Sequence, residues 1–399
     1  MSPLPLGNRD LMRAINRAAI LTTIKSNGLI DRAQVARLTG LSPATVTGIT
    51  SELIDEGLVF EKQPGDSRGG RPPILLAINP RGGFVVGIKL MEDHALGALT
   101  DLESTVIAKD SRPLKNKNSS EAIAVLSALV QSLVAQANID RRRLLGVGVG
   151  LAGVVDSEHG ILRESPFFGW RDLPLRDLLQ NLVQTPVYLD NDVNTLTLAE
   201  QWFGAGQGVD HFLVVTVGRG IGLGVVANGR FYRGAGGGAG ELGHTLIDPQ
   251  GPLCDCGKHG CLETYAGYPG LLRSAHLAFL AGKVDQDVTT IDQLIRLAGA
   301  GQPAMMELLA QAGGLLGRAM SSLVNILNPA LIIIGGEGVQ LGAPFFEPLQ
   351  NALRQYSMPN LFQDVRIQIE PWGDDVWARG AASLVLRQLF ESPVHKDTN

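Results

Sequence analysis

The residues best suited to chemistry lie close together near the middle of the chain. His244, Cys254, Cys256 and Cys261 form His-x9-Cys-x-Cys-x4-Cys within a glycine-rich stretch, and no cysteine occurs elsewhere. One imidazole and three thiolates complete a tetrahedral donor set with no open position, so the spacing predicts a structural zinc site rather than a catalytic one. His259 also lies among the cysteines and is a second candidate for the fourth ligand; its cramped spacing favours His244. Clustered thiols of this kind argue against a disulfide framework and for a reducing compartment, so a cytoplasmic setting is expected. The opening segment carries Arg9, Asp10, Arg13, Arg17 and Lys25 and has no signal-like apolar core. No unbroken apolar run approaches the roughly 18 residues of a bilayer-spanning helix, so no membrane insertion is expected.

A second constellation lies at the N-terminus. The pair Arg68 and Arg71 sits in Ser67-Arg68-Gly69-Gly70-Arg71-Pro72-Pro73, between the apolar runs LVF and ILLAI. The pattern predicts a β-hairpin wing whose tip resembles Arg-Gly-Arg-Pro peptides that enter a narrow A·T minor groove. Three helices precede it. The first runs from about Arg9 to Ser26, the second starts at the N-cap Asp31 and ends at Gly40, and the third is capped by Ser42 with Pro43 in its first turn. In the third helix Val46, Ile49 and Leu53 recur as a core stripe, leaving Ser42, Thr45, Thr47 and Thr50 as candidate DNA contacts. Those hydroxyls include no Arg or Lys to grip guanine, so modest base discrimination is expected, with Arg68 and Arg71 supplying much of the affinity. A module this small should need a homodimer on a palindromic double-stranded operator.

Charge agrees with that division. The chain has a net charge of −5, yet residues 1–80 hold nine Lys/Arg against seven Asp/Glu, net +2, and the remainder 25 against 32, net −7. A mildly basic head on an acidic body excludes a generally basic nucleic-acid binder but allows a local DNA-binding module. From Gly83 onward, strands alternate with helices: FVVGIKLM, HALGALTDL and STVIAKDS, a long apolar helix, the strand LLGVGVGLAGVV, PVYLD and its helix, then a restart at FLVVTVGRGIGLGVV. This α/β pattern predicts two lobes with a ligand between them: residues 81–192 for the first, joined by a closing helix over 375–390, and residues 193–374, with the zinc loop, for the second.

Gly240-Glu241-Leu242-Gly243-His244, followed by Cys254-Asp255-Cys256-Gly257 and Cys261-Leu262-Glu263, resembles the signature of the ROK family of repressors and sugar kinases. With the winged helix in front, the whole chain is similar to the family's regulator branch, typified by glucose, N-acetylglucosamine and xylose repressors. The resemblance implies an actin/hexokinase-like, ribonuclease H-like body. It also implies a sugar or sugar-phosphate effector held by Asn191, Asp192, Glu241, His244 and Glu263, with Asp192 at the position of the kinase general base and His244 shared with zinc.

Active kinases of the family begin their first strand Asp-x-Gly-Gly-Thr, whereas the matching stretch here is Gly87-Ile88-Lys89-Leu90-Met91-Glu92-Asp93. Side chains replace the phosphate-cradling glycines, and Glu92 and Asp93 would repel the anion. The second phosphate hairpin, Gly218-Arg219-Gly220-Ile221-Gly222, keeps its glycines but carries Arg219 where a small hydroxyl residue is usual. The expectation is a sugar-responsive regulator that is not an enzyme. The rivals are an active ATP-dependent sugar kinase with a DNA-binding domain and a ligand-independent DNA-binding protein.

Overall fold

The computed structural model describes residues 9–62, 73–165, 167–372 and 374–390. The N-terminal module comprises α1 (Arg9–Asn27), β1 (Ile30–Asp31), α2 (Arg32–Thr39), α3 (Pro43–Asp55), β2 (Val59–Lys62) and β3 (Leu75–Ile78). Its helix ends follow local chemistry. Asp31 accepts the Gln34 amide to cap α2, which stops at Gly40 with φ 72°, and Ser42 accepts the Thr45 amide to cap α3. β2 and β3 pair antiparallel with Val59 opposite Ile78, and β1 adds to the far edge of β3. Their connecting tip, with Arg68 and Arg71, lies outside the described residues.

The first lobe contains β4 (Phe84–Leu90), β5 (His94–Asp101), β6 (Val106–Pro113), α4 (Ser119–Gln136), β7 (Leu144–Leu151), β8 (Val154–Asp156), β9 (Ile161–Ser165), β10 (Trp170–Leu173), α5 (Leu175–Val183) and β11 (Val187–Asn191). Its main sheet has the order β11-β7-β4-β5-β6, antiparallel among β4 to β6 and parallel across β4, β7 and β11. The run LLGVGVGLAGVV is not one strand. It divides at Ala152-Gly153, where Gly153 has φ 132°, and β8 joins a separate small sheet with β9 and β10. Although Ser, Glu and Gln interrupt its apolar residues, α4 is by length and composition apolar enough to span a bilayer. Here its Leu126, Leu129, Val130 and Leu133 are buried in the core of the first lobe.

Helix α6 (Asp192–Phe203) leads to the second lobe: β12 (Phe212–Val217), β13 (Ile221–Ala227), β14 (Arg230–Tyr232), α7 (Glu263–Ala266), α8 (Tyr268–Leu280), α9 (Ile291–Gly299), α10 (Pro303–Leu327), β15 (Leu331–Gly335), α11 (Ala343–Tyr356), α12 (Pro359–Phe362) and β16 (Arg366–Ile369). Its sheet runs β14-β13-β12-β15-β16, so each lobe sets an antiparallel hairpin beside parallel strands.

The last helix, α13 (Asp374–Phe390), returns to the first lobe. It sits directly on strand backbone. A Cβ on Gly87 of β4 would fall 1.9 Å from the Ala378 carbonyl oxygen, and one on Gly148 of β7 would fall 1.8 Å from that of Ala381. Strand glycines that weaken β structure elsewhere are required here by the close approach of another backbone. Beyond the sheet, Ala382, Val385, Leu386 and Phe390 join Ile20, Leu21, Ile24, Leu53 and Leu76 in one buried core shared with the N-terminal module.

Gly148→Ala should therefore destabilise the protein by about 3 kcal/mol, since only a shift of backbone can accommodate the methyl group. Gly314→Ala in α10, where nothing lies within 4 Å of the added carbon, should stabilise by about 0.5–1 kcal/mol through helix propensity. Denaturant midpoints of the two variants check both signs.

Candidate functional site: a carboxylate cluster beside a thiol loop

The sequence-predicted DNA face is mostly exposed. Ser42 and Thr47 are open to solvent and Thr45 is half-buried, with the Thr45 and Ser42 hydroxyls 2.8 Å apart. Thr50 is a correction: it is 0% exposed. Its hydroxyl accepts from Arg32 Nε at 3.1 Å and donates to the Thr47 carbonyl, so it ties α2 to α3 and cannot meet a base. Thr50 lies beside Ile49 on the inward flank of the stripe, which a broad hydroxyl-rich face hid from the sequence reading. Three arginines of the module are held by carboxylates: Arg13 by Glu52, Arg17 by Glu56 and Arg32 by Glu61. Arg37 on α2 and Lys62 at the foot of the wing are exposed and were missed, because attention fell on α3 and the wing tip.

Between the lobes the sequence-predicted sugar contacts converge. Asn191 closes β11 and caps α6, its Oδ1 accepting from the amides of Val193 and Asn194 while Nδ2 donates to the Gly153 carbonyl at 3.1 Å. One amide hydrogen of Asn191 is left for a ligand. Asp192 follows in the first turn of α6, where the helix dipole favours an anion. Burial nevertheless pushes its carboxyl above the ordinary range, and the Lys89 ammonium, 3.9 Å away, pulls against that shift. Burial likewise raises Glu241; His244 opposes the rise, and the charges of Glu263 and Asp192 add to it. Glu263 is fixed from below, its Oε2 accepting the Ile221 amide at 3.0 Å.

Three cations that motif reading did not place in this site organise it. Lys89, 7% exposed, reaches from β4 to Asp192, to Glu337 of the second lobe at 3.5 Å, and to the ring of Trp377 on α13 at 3.3 Å. Arg219, in the β12–β13 turn, pairs with Asp255 at 2.9 Å and Glu92 at 3.8 Å and lies over Phe167 of the first lobe. Arg233, just after β14, donates two hydrogen bonds to Asp190 Oδ2, at 2.7 and 3.0 Å. Asp190 is 1% exposed. Its other oxygen accepts from Asn194 Nδ2, so the buried carboxylate of one lobe is satisfied by a guanidinium of the other. All three side chains carry contacts distant in sequence, which no local spacing signals.

The four sequence-predicted metal ligands meet. The donor atoms of His244, Cys254, Cys256 and Cys261 all lie within 4.8 Å of one another. His244 Nδ1 is 3.5 Å from Cys254 Sγ, and the sulfurs of Cys256 and Cys261 are 3.6 Å apart, close to the ~3.8 Å that ~2.3 Å metal–sulfur bonds impose on a tetrahedron. His259 points elsewhere, its Nδ1 2.9 Å from the Gly251 carbonyl oxygen. Burial pushes the Cys254 thiol up to about 12 and the Cys261 thiol upward too, a penalty that a doubly charged cation would reverse. Gly260, at φ 72°, lets the loop close, since a Cβ there would lie 1.6 Å from the Asp248 carbonyl oxygen. His244 turns its Nε2 toward Glu241 Oε2 at 3.7 Å, so the ligand loop and the carboxylate cluster share one side chain.

The ROK family model matches residues 85–388, and a model described as winged helix-turn-helix DNA-binding matches residues 13–59. The chain belongs to the ROK family. It is 32% identical over 396 residues to the xylose repressor of Caldicellulosiruptor bescii, covering 97% of this chain and 99% of that one. A crystal structure described as a ROK family transcriptional regulator, homologous to the E. coli MLC protein, superposes with a TM-score of 0.87 at 28% identity, covering 97% of this chain and 99% of that one. A ROK hexokinase from Thermus thermophilus superposes with a TM-score of 0.64 at 33% identity, over 75% of this chain and 97% of its own.

Purified protein should carry one tetrahedral divalent metal ion per chain by elemental analysis and metal spectroscopy. Cys261→Ser should lose it and lower the thermal midpoint by several degrees, whereas His259→Asn should keep it.

Proposed function

We propose that this chain is a sugar-responsive transcriptional repressor of carbohydrate-utilisation genes, with zinc as the metal of its thiol loop and with no phosphotransfer activity. The observation that carries the reading is Lys89. Its ammonium lies against Asp192, Glu337 and Trp377, in the strand where the kinases have their first phosphate loop. A cation so engaged leaves Asp192 to bind a hydroxyl rather than to deprotonate one, and its side chain crowds the approach of a phosphoryl donor. Asp192, Glu241 and Glu263 supply acceptors for vicinal hydroxyls, Asn191 supplies one donor, and zinc holds the loop that bears His244 beside Glu241. The full-length likeness to a xylose repressor supports the same reading.

In this proposal the repressor acts in the cytoplasm as a homodimer. Two winged helices meet a palindromic operator, Arg68 and Arg71 enter the minor groove, and Thr47 and Ser42 border the major groove. Arg37 and Lys62 suit phosphates. Sugar acts through its differential affinity for two lobe arrangements.

A sugar kinase bearing a DNA-binding module is the second reading, favoured by Asp192 and by 33% identity to a hexokinase. Thermal midpoints of the metal-loaded chain with D-xylose, D-glucose, N-acetylglucosamine and their phosphates, each with and without ATP and magnesium, separate the two. The repressor reading expects a shift with one sugar, none added by ATP, and a sugar affinity about tenfold or more weaker in Asp192→Asn. Sugar-dependent ATP hydrolysis would overturn it.

A further inference from the structure

The N-terminal module is gripped by a side chain that neither the DNA face nor the sugar site uses. Lys25, in the last turns of α1, places its ammonium 3.9 Å from the centre of the Trp202 ring, 4.3 Å from that of Phe203 and 4.9 Å from that of Phe390. Trp202 and Phe203 end α6, and Phe390 ends α13. One residue-turn earlier on α1, Thr22 donates a hydrogen bond to the Phe390 carbonyl at 2.6 Å. Three π faces around one ammonium form an aromatic cage, in which the cation is attracted to each ring. Burial lowers this lysine to about 7, so the ammonium and the neutral amine are both accessible near neutral pH, and ring contact favours the charged form.

The same two helices begin at the sugar site. α6 starts with Asp192, and α13 carries Trp377 in its first turn; a single ammonium, that of Lys89, touches both. α6 and α13 therefore run in the same direction, clasped at one end by Lys89 from β4 and at the other by Lys25 from the DNA-binding module. Their spans match: Asp192 to Phe203 and Trp377 to Phe390 each cover about 17–20 Å of helix. Leu196 and Leu198 of α6 share an apolar cluster with Trp377 and Leu384 of α13, and at one point the two backbones meet closely. A Cβ on Gly380 would stand 3.1–3.2 Å from the backbone of Thr195 and Leu196, and Gly87 and Gly148 seat α13 on the sheet in the same way. Helices in backbone contact transmit a displacement instead of absorbing it in side-chain rearrangement.

We propose that Lys25 is the positioning residue that sets the orientation of the DNA-binding module from the sugar site, with α6 and α13 acting as one paired strut between the Lys89 clasp and the aromatic cage. This rests on the sugar-sensing reading for its input, but the joint itself does not. A ligand hydroxyl that takes Asp192 from Lys89 changes the near end of the strut; the cage at the far end carries that change to α1, whose Ile20, Leu21 and Ile24 share a core with α3, the recognition helix of the proposed DNA-binding module.

The test is hydrogen–deuterium exchange on the full metal-loaded chain of wild type, Lys25→Met and Lys25→Arg. Met keeps the unbranched stem and loses the charge; Arg restores a cation that stacks on rings. Without ligand, Lys25→Met should raise exchange across residues 9–27 about tenfold, leave residues 84–151 unchanged, and be largely rescued by Lys25→Arg. Unchanged exchange over residues 9–27 in Lys25→Met would overturn the joint whatever the sugar result. With D-xylose, or whichever sugar shifts the wild-type midpoint, Lys25→Met should bind within about twofold of wild type yet lose the sugar-induced change in exchange over residues 9–55. A sugar-induced change in Lys25→Met as large as in wild type would also overturn the proposal. If no sugar shifts wild type, the sensing reading fails and the ligand-free comparison alone decides the joint.

Discussion

Much of this molecule leans on the backbone contact between its last described helix and two strands that occur more than two hundred residues earlier. α13 can lie on β4 and β7 only because Gly87 and Gly148 have no side chains. That close seating places Trp377 beside Lys89 and brings Phe390 and Val385 into the core of the N-terminal module. A single helix thus fixes the countercharge of the ligand site and the attachment of the DNA-binding unit. The constraint is steric, and hydrophobic burial follows from it.

Much of this was legible in the sequence where short-range rules operate. The Asp31 and Ser42 caps, the Gly40 stop and the Cys-x-Cys-x4-Cys loop each announce themselves within a dozen residues, and the β2–β3 hairpin within twenty. What failed was the assignment of faces and partners. Thr50 sits one position from the core stripe, and only the reach of Arg32 from another helix decides that it is buried. The break of LLGVGVGLAGVV at Gly153 depends on β9 lying alongside to receive β8, which periodicity alone does not encode. α4 reads as amphipathic or as continuously apolar according to the window chosen, and its packing on the first lobe decides its role here.

The candidate site was legible as a set of residues and illegible as an electrostatic object. Asp192, Glu241, Glu263 and His244 were named from motifs, and they do converge. Desolvation raises Asp192 and Glu241, opposed by Lys89 at the first and His244 at the second, while Arg233 and Arg219, also from distant elements, pair with Asp190 and Asp255. Arg233 and Asp190 join the two lobes through a desolvated ion pair, so the lobes meet through charge as well as apolar surface.

The position of α13 after both lobes also bears on the order in which the protein can be made. Synthesis proceeds from the N-terminus, and the winged helix emerges first, yet part of its core is supplied by Leu386 and Phe390, more than three hundred residues later. A ribosome-bound chain lacking them has the recognition helix but not the surface that anchors α1, nor the ring of Phe390 that completes the cage around Lys25. The N-terminal module therefore acquires its full core only after both lobes have been made. A chain that stops short of Leu386 leaves α1 without that part of its packing, so loss of the last helix is felt in the N-terminal module.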